Sequence, residues 1–264
     1  MKRAITALVL VPVAVYAVLF APPLFFLAVV AIFAVLCFRE YARITGASAL
    51  PGYVAGLLIL IAPLNQAALI VFLAALAALC LTLSSEDFAK GSARAAALVM
   101  GVAYIFGAWK TATLLHDIET PALKHLTAGR WWLLFALMIN WIGDTGAYYV
   151  GRKFGKHKLA PHVSPGKSWE GAAASAVTGV IFGMIFLPLT IEGTSLWAAA
   201  LVSLVANAAG QVGDLAESAL KRGAGVKDSG TILPGHGGML DRLDSSLFAM
   251  PVVYTLVMLL NGGR

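Results

Sequence analysis

The chain has 264 residues, of which 60% are hydrophobic and only 12% charged, and its formal net charge is +6 at pH 7. A soluble domain is roughly half apolar and about a quarter charged, so this composition excludes an ordinary soluble protein and indicates an integral membrane protein. The positive charge does not indicate nucleic-acid binding, because the basic residues lie in short loops between apolar segments, where membrane topology accounts for them.

Apolar segments long enough to cross a bilayer, roughly 17–25 residues each, recur along the whole chain. The first follows a basic start but has no clear small-x-small cleavage site, so we expect it to be a retained span. We predict an all-α, polytopic membrane protein with about nine transmembrane helices, at 4–20, 22–38, 50–64, 66–83, 94–110, 131–151, 171–189, 196–220 and 245–261.

The lysines and arginines are distributed unequally between alternate loops. If the N-terminus is cytoplasmic, all but four of the 19 lie on the cytoplasmic side, the exceptions being Lys110, Lys124, Arg130 and Arg264. The positive-inside rule therefore predicts a cytoplasmic N-terminus. The two longest loops of the C-terminal half, 152–170 and 221–244, should then face the cytoplasm.

Two predicted helices carry polar stripes in which residues recur every three or four positions, on one helical face. Asp144 and Asp214 each lie about seven residues from the cytoplasmic end of a span, roughly 10 Å deep. A carboxylate at that depth is costly. The Asp214 carboxylate therefore needs a cation, which could be Lys221, Arg222 or a metal ion. The matching depth of the two stripes predicts one shared polar cavity. Interhelical hydrogen bonding is an equal alternative for Asn207 and Gln211. The stripes are Asn140, Asp144, Tyr148 and Arg152, and Ser203, Asn207, Gln211, Asp214, Ser218 and Lys221.

The segment 221–244 combines cations, glycines and carboxylates, which is what a phosphate site needs. Asp241 and Asp244 are three residues apart at a helix start, and such oxygens suit Mg²⁺ held together with substrate phosphates. The alternative is a capping box, with Asp241 as the N-cap. His236 is predicted to shape the turn or donate to a phosphate. The cations are Lys221, Arg222 and Lys227.

The segment 152–170 is strongly basic and contains Gly166-Lys167-Ser168. A true P-loop is excluded, because Pro161 stands where a glycine is required and no strand is predicted before it. What remains is a lysine and a hydroxyl directly before a helix that starts near Gly171, where backbone N–H groups favour an anion.

Three runs of residues resemble one known family, the phosphatidate cytidylyltransferases, also called CDP-diacylglycerol synthases. The longest comprises SALKR at 218–222, KD at 227–228 and PGHGGMLDRLD at 234–244, and we find no departure from the family signature there. The runs GDTGAY at 143–148 and SPGKSWEG at 164–171 are also similar. The resemblance covers 131–261 well, whereas 1–130 resembles the family only in its apolar spans.

The resemblance implies a reaction in which CTP and phosphatidate give CDP-diacylglycerol and diphosphate, with Mg²⁺ dependence and a homodimer. Under this hypothesis Asp214 and Asp241 hold Mg²⁺, and Asp244 is a third ligand or supports them. The remaining roles are assigned by position: Lys221, Arg222, Ser218, Lys167 and Ser168 bind phosphates, Asp144 lines the cavity for the nucleotide or a second cation such as K⁺, and Lys227, Asp228 and Arg242 order the loop or contact the lipid headgroup.

The same hypothesis divides the chain into N-terminal scaffold and dimerisation helices, 1–130, and a catalytic region, 131–264, within one integrated membrane domain. It places the protein in the inner membrane with its site facing the cytoplasm. Two alternatives stay open. A CTP-dependent lipid-alcohol kinase would release CDP, and a transporter would need polar residues across the whole bilayer, whereas here they gather on one side.

Overall fold

The computed structural model describes residues 2–120, 122–233, 235 and 237–260, and most of these are helical. The elements in chain order are α1 (Lys2–Leu19), α2 (Pro23–Thr45), α3 (Ala49–Ile61), α4 (Leu64–Thr82), α5 (Phe88–Gly101), a π-helix (Val102–Phe106), α6 (Gly107–His116), a 3₁₀-helix (Leu123–His125), α7 (Ala128–Phe154), β1 (Lys158–Ala160), β2 (Ser164–Ser168), α8 (Trp169–Thr190), α9 (Leu196–Gly223) and α10 (Leu240–Leu260).

Each predicted apolar segment overlaps a helix or the continuous helical stretch Phe88–His116, although α2 runs to Thr45, past its predicted end at residue 38. Among the described residues, six helices are long and apolar enough to cross a membrane, so the chain is an integral membrane protein. Helix α3 is apolar but has only 13 residues. Nine spans and a cytoplasmic N-terminus stay predictions.

Within the described residues, the departure from the all-helical expectation is a short hairpin inside the predicted loop 152–170. Strand β1 pairs antiparallel with β2, with Lys158 opposite Ser168 and Ala160 opposite Ser164. The strands could not be predicted from the sequence, because Pro161 and Pro165 interrupt any alternation of apolar and polar residues. A proline is nevertheless tolerated at the edge of a sheet. The hairpin matters because it carries Lys167 and Ser168.

The chain forms two compact units, and each unit is built from segments that are separated in the sequence. The first is built mainly from Pro22–Thr113 and Leu220–Leu243, and the second from Pro12–Ala21, Leu114–Ala219 and the chain from Asp244 onward. These units describe packing, whereas our division at residue 130 concerns catalytic residues, so that division stays a prediction.

In the first unit, α2 buries its aromatic side chains against α3 and the stretch around the π-helix. Phe38 lies against Tyr53 and Phe106, with ring centroids 5.5 and 5.4 Å apart. Gly52 makes this packing possible, because a Cβ there would collide with the Phe38 ring. This packing places the buried Glu40, two residues farther along α2, inside the protein.

In the second unit, α7, α8 and α9 pack through small residues and a ladder of buried polar groups. The Ser175 hydroxyl of α8 and the Asn207 amide of α9 are hydrogen-bonded, at 3.1–3.2 Å. Gly143 of α7 admits both side chains, since a Cβ there would meet the Asn207 amide. The hairpin and the end of α9 extend from this packed core.

Candidate functional site

In the second unit, Lys167 of β2 and Asp214 of α9 form an ion pair. The Lys167 Nζ lies 2.6 Å from the Asp214 Oδ2, and about 28% and 29% of the two side chains is exposed. The cations expected beside Asp214 were Lys221, Arg222 or a metal ion, and the structure places Lys167 there instead. Because both side chains are partly exposed, the pair is not enclosed by the packed helices.

A cavity of about 400 Å³ lies beside Lys167, between the hairpin and helices α7, α8 and α9. Three predicted site residues line it: Asp144, Lys167 and Ser168. Tyr148, Arg152 and Gln211 line it as well, and the Arg152 guanidinium donates to the Tyr148 hydroxyl at 3.0 Å. The polar stripe of α7 thus faces a cavity over its last two turns.

Ser168 stands at the N-terminus of α8, as the sequence predicted. Its Oγ accepts a hydrogen bond from the Gly171 N–H at 3.2 Å, which caps the helix. Glu170, in the first turn, accepts from the ring of His157 at 2.6 Å and ties the hairpin to the helix. The hydroxyl hydrogen of Ser168 can still donate to an anion in the cavity.

The polar stripe of α9 has two different uses. Asn207 is 1% exposed and bonds to Ser175 on α8, which is the interhelical alternative. Gln211 does both: its amide donates to the Ala172 carbonyl at 3.2 Å, and it also lines the cavity. Asn207 therefore serves the packing of the helices, whereas Gln211 serves both that packing and the cavity.

Helices α9 and α10 approach each other closely near Asp214 and Asp244. A Cβ at Gly213 would lie 2.8 Å from the Asp244 carbonyl oxygen and from the Phe248 ring. The Asp214 Oδ1 accepts from Ser218, one turn on, at 3.4 Å, and Asp244 is 9% exposed. Two predicted metal ligands therefore belong to neighbouring segments of adjacent helices.

In the first unit, Asp241 is held by three donors. Its Oδ1 lies 2.6 Å from the Lys221 Nζ, and its Oδ2 accepts from the N–H groups of Ser229 and Gly238 at 2.9 and 2.7 Å. Both charged residues are buried. The capping-box alternative is wrong, because α10 begins at Leu240 and Asp241 lies inside its first turn.

Glu40, which the sequence analysis missed, takes the position of the helix cap. Its carboxylate accepts from the N–H groups of Met239 and Leu240 at 3.0 and 2.8 Å, and from the Ser229 hydroxyl at 2.8 Å. The predicted second span ends at residue 38, which leaves Glu40 in a loop. In the structure, helix α2 continues to Thr45, so Glu40 lies on the helix.

The other predicted residues of the loop lie at its surface. Arg222 donates to the Val226 carbonyl at 2.9 Å, which closes the turn after α9. Lys227, Asp228 and Arg242 are exposed, as a contact with a lipid headgroup would require. His236 lies outside the described residues, so its role stays a prediction.

No group of three or more His, Cys, Asp or Glu side chains within the described ranges is arranged to hold a metal ion. Two of the expected ligands, Asp214 and Asp241, are each paired with a lysine instead. The set of Asp214, Asp241 and Asp244 stays a prediction. Carboxylates of this kind are nevertheless the oxygen donors that Mg²⁺ binds.

A model of the Cytidylyltransferase family matches residues 1–260. The chain is 43% identical over 129 residues to a protein of Staphylococcus saprophyticus named phosphatidate cytidylyltransferase, covering 49% of this chain and 50% of that one. A protein of the same name from Bacillus subtilis is 45% identical over 133 residues, covering 50% and 49%. The match to a third, from Haemophilus influenzae, is 42% over 137 residues, covering 49% and 48%. The aligned region thus spans about half the length of these curated relatives.

Proposed function

We propose, since the chain belongs to the cytidylyltransferase family, that it is a phosphatidate cytidylyltransferase of phospholipid biosynthesis. It would convert CTP and phosphatidate into CDP-diacylglycerol and diphosphate. The observation that carries this proposal is the Lys167–Asp214 ion pair, whose lysine lines the cavity of about 400 Å³. A cation and a carboxylate side by side can serve a triphosphate and its counter-ion together.

The proposed reaction is a substitution at phosphorus. An oxygen of the phosphatidate phosphate attacks the α-phosphorus of CTP, a new P–O bond forms, and the bond to the β-phosphate oxygen breaks. Diphosphate leaves with its bonding electrons. The attacking phosphate is already ionised at neutral pH, so no general base is required, and positioning and charge neutralisation carry the catalysis.

The cations of the chain supply that neutralisation. Lys167, with Ser168 at the N-terminus of α8, is proposed to bind a phosphate of CTP, because a helix start and an ammonium group both favour an anion. Lys221 and Arg222, in the last turn of α9, are proposed to bind the other phosphates, with Ser218 as a further donor. Asp144 is proposed to contact the nucleotide or a second, monovalent cation such as K⁺.

We propose that Asp214, Asp241 and Asp244 hold Mg²⁺, which when bound offsets the negative charge of the phosphates. The donor chemistry supports this: Mg²⁺ is commonly held by one or two carboxylates together with substrate phosphates. The close approach of α9 and α10 at Gly213 supports joint action of Asp214 and Asp244. A carboxylate that binds the ion would give up its ion pair, and the paired lysine, Lys167 or Lys221, would then be available to a phosphate.

Nine transmembrane helices, a cytoplasmic N-terminus, a homodimer and an inner-membrane location with the site facing the cytoplasm complete the proposal. The distribution of Lys and Arg supports the orientation. A cysteine introduced at the exposed Lys156, with Cys37 and Cys80 replaced, should react with an impermeant thiol reagent in inside-out vesicles. Reaction only from the opposite face would reverse the orientation.

Incubation of the purified protein with phosphatidate, CTP and Mg²⁺, followed by lipid extraction, tests the activity. We expect CDP-diacylglycerol in the organic phase and diphosphate in the aqueous phase. Formation of free CDP would instead indicate a lipid-alcohol kinase, and absence of any reaction with the intact protein would contradict the proposal.

A further inference from the structure

Glu40 is a buried carboxylate for which the proposed reaction has so far no use. It is 4% exposed, and its two oxygens accept three hydrogen bonds from the segment 229–240. Two of these come from the N–H groups at the start of α10, which no earlier turn of that helix can satisfy. A negative charge at a helix N-terminus is further favoured by the helix dipole.

The bonds of Glu40 continue through Ser229 to Asp241. The Ser229 hydroxyl donates to the Glu40 Oε2 at 2.8 Å and accepts from the Asp241 N–H at 3.3 Å. The Ser229 N–H donates to the Asp241 Oδ2 at 2.9 Å. Glu40, Ser229 and Asp241 thus form one closed network, and Asp241 presents its other oxygen to Lys221.

Two glycines of the loop make room for this network. A Cβ at Gly230 would collide with the Glu40 carboxylate, and a Cβ at Gly238 would collide with both Glu40 and the Ser229 hydroxyl. The loop therefore wraps the Glu40 carboxylate closely, with backbone on two sides. Its shape is matched to a carboxylate at this position, since the loop groups that contact it are donors and glycines.

We infer that Glu40 is a positioning residue of the proposed active site: it fixes Ser229 and the start of α10, at Met239 and Leu240, and thereby sets where Asp241 and Lys221 stand. This inference rests on the proposed function. Glu40 acts through Ser229 and Asp241 and does not touch substrate. Its expected effect is on kcat, because a displaced Asp241 misaligns the reacting phosphates after they have bound.

Glu40→Gln is the most direct variant. The amide keeps the size of the side chain but puts an NH₂ group where one carboxylate oxygen accepted, so two donors face each other. We expect kcat to fall by about tenfold or more, the size expected when one hydrogen bond to a charged group is lost, with the KM for CTP changed less. Hydrogen exchange of the amides in 229–240 should accelerate in the same variant.

Lys110→Gln is the matched control. Lys110 is also buried in the first unit, where its Nζ donates to the Leu60 and Ala62 carbonyls at the end of α3. Its loss should reduce thermal stability without changing the exchange of 229–240 or kcat. The comparison separates a positioning effect from general loosening of the helices.

Ser229→Ala and the double variant with Glu40→Gln form a mutant cycle, and Ser229→Ala alone serves if Glu40→Gln does not fold. Ser229→Ala keeps the bonds that Glu40 accepts from the Met239 and Leu240 N–H groups and removes the hydroxyl that bridges Glu40 and the Asp241 N–H. We expect it to lower kcat, and the double variant to be little worse than Glu40→Gln alone, since both act through one network.

An unchanged kcat and unchanged exchange of 229–240 in both Glu40→Gln and Ser229→Ala would overturn the inference. The exchange measurement needs no substrate, so it tests the network even if the wild-type protein forms no CDP-lipid. A wild-type protein that forms no CDP-lipid would contradict the proposed function but not the role of Glu40 in this network.

Discussion

Lys221 and Asp241 form a buried ion pair in which the lysine Nζ lies 2.6 Å from the carboxylate Oδ1. Only 10% and 4% of the two side chains is exposed. A buried charge that loses its partner is strongly destabilising, whereas removing both charges is much less so. Single and double variants of this pair can therefore distinguish a loss of stability from a loss of catalysis.

Lys221→Met should lower the free energy of unfolding by about 3–5 kcal/mol and abolish activity, because it leaves the Asp241 carboxylate buried without its cation. Lys221→Met combined with Asp241→Asn should recover much of that stability but none of the activity. Thermal unfolding in detergent and a CDP-lipid assay measure both. Recovery of activity in the double variant would show that neither charge acts in catalysis.

Asp214→Asn should abolish product formation while the protein stays folded, because Asp214 is partly exposed and its loss leaves only the accessible Lys167 unpaired. Asp87→Asn is the control, since Asp87 is an exposed carboxylate that caps α5. The two variants should unfold at similar temperatures and differ in turnover. An Asp214→Asn protein that keeps most of its activity would refute the role of this residue as a metal ligand.

Lys167→Gln should raise the KM for CTP by about tenfold or more, because a charged contact to a phosphate is lost from the cavity. Lys156→Gln removes an exposed lysine from the same segment and should leave the KM nearly unchanged. Initial rates over a range of CTP concentrations distinguish them. Equal KM values for both variants would remove Lys167 from the proposed nucleotide site.

Gly213→Ala should disturb the contact between α9 and α10, because its Cβ would lie 2.8 Å from the Asp244 carbonyl oxygen. We expect a loss of about 1–3 kcal/mol, as for other overpacked contacts, together with reduced turnover. Gly223→Ala, at the end of the same helix, is the control, since a Cβ there meets nothing within 4 Å. Similar stability of the two variants would argue against the close approach.

The sequence predicted local features well where one helix or one turn decides them. The apolar segments coincide with helices, and Ser168 caps α8 as its place before Gly171 indicated. It also required a cation beside Asp214, but the candidates it offered were Lys221, Arg222 or a metal ion. Lys167 fills that role because the hairpin, concealed by its two prolines, brings it to α9.

Glu40 could not be predicted from the sequence, because its partners are about 190 to 200 residues away along the chain. Its position close to Arg39 and Arg43 resembles an ordinary charged end of a span. Only the fold shows that α2 continues past it and that the loop before α10 closes around its carboxylate. Long-range hydrogen bonds of this kind have no local periodicity to reveal them.

The proposed activity is the transfer of the cytidylyl group of CTP to a lipid phosphate with the help of Mg²⁺. The most direct measurement uses CTP labelled either at the α- or at the γ-phosphorus, with phosphatidate, with and without a chelator. We predict that the α-label enters the lipid, that the γ-label is released as diphosphate, and that chelation stops both until Mg²⁺ is restored. Transfer of the γ-label to the lipid, or full activity in the chelator, would contradict the account.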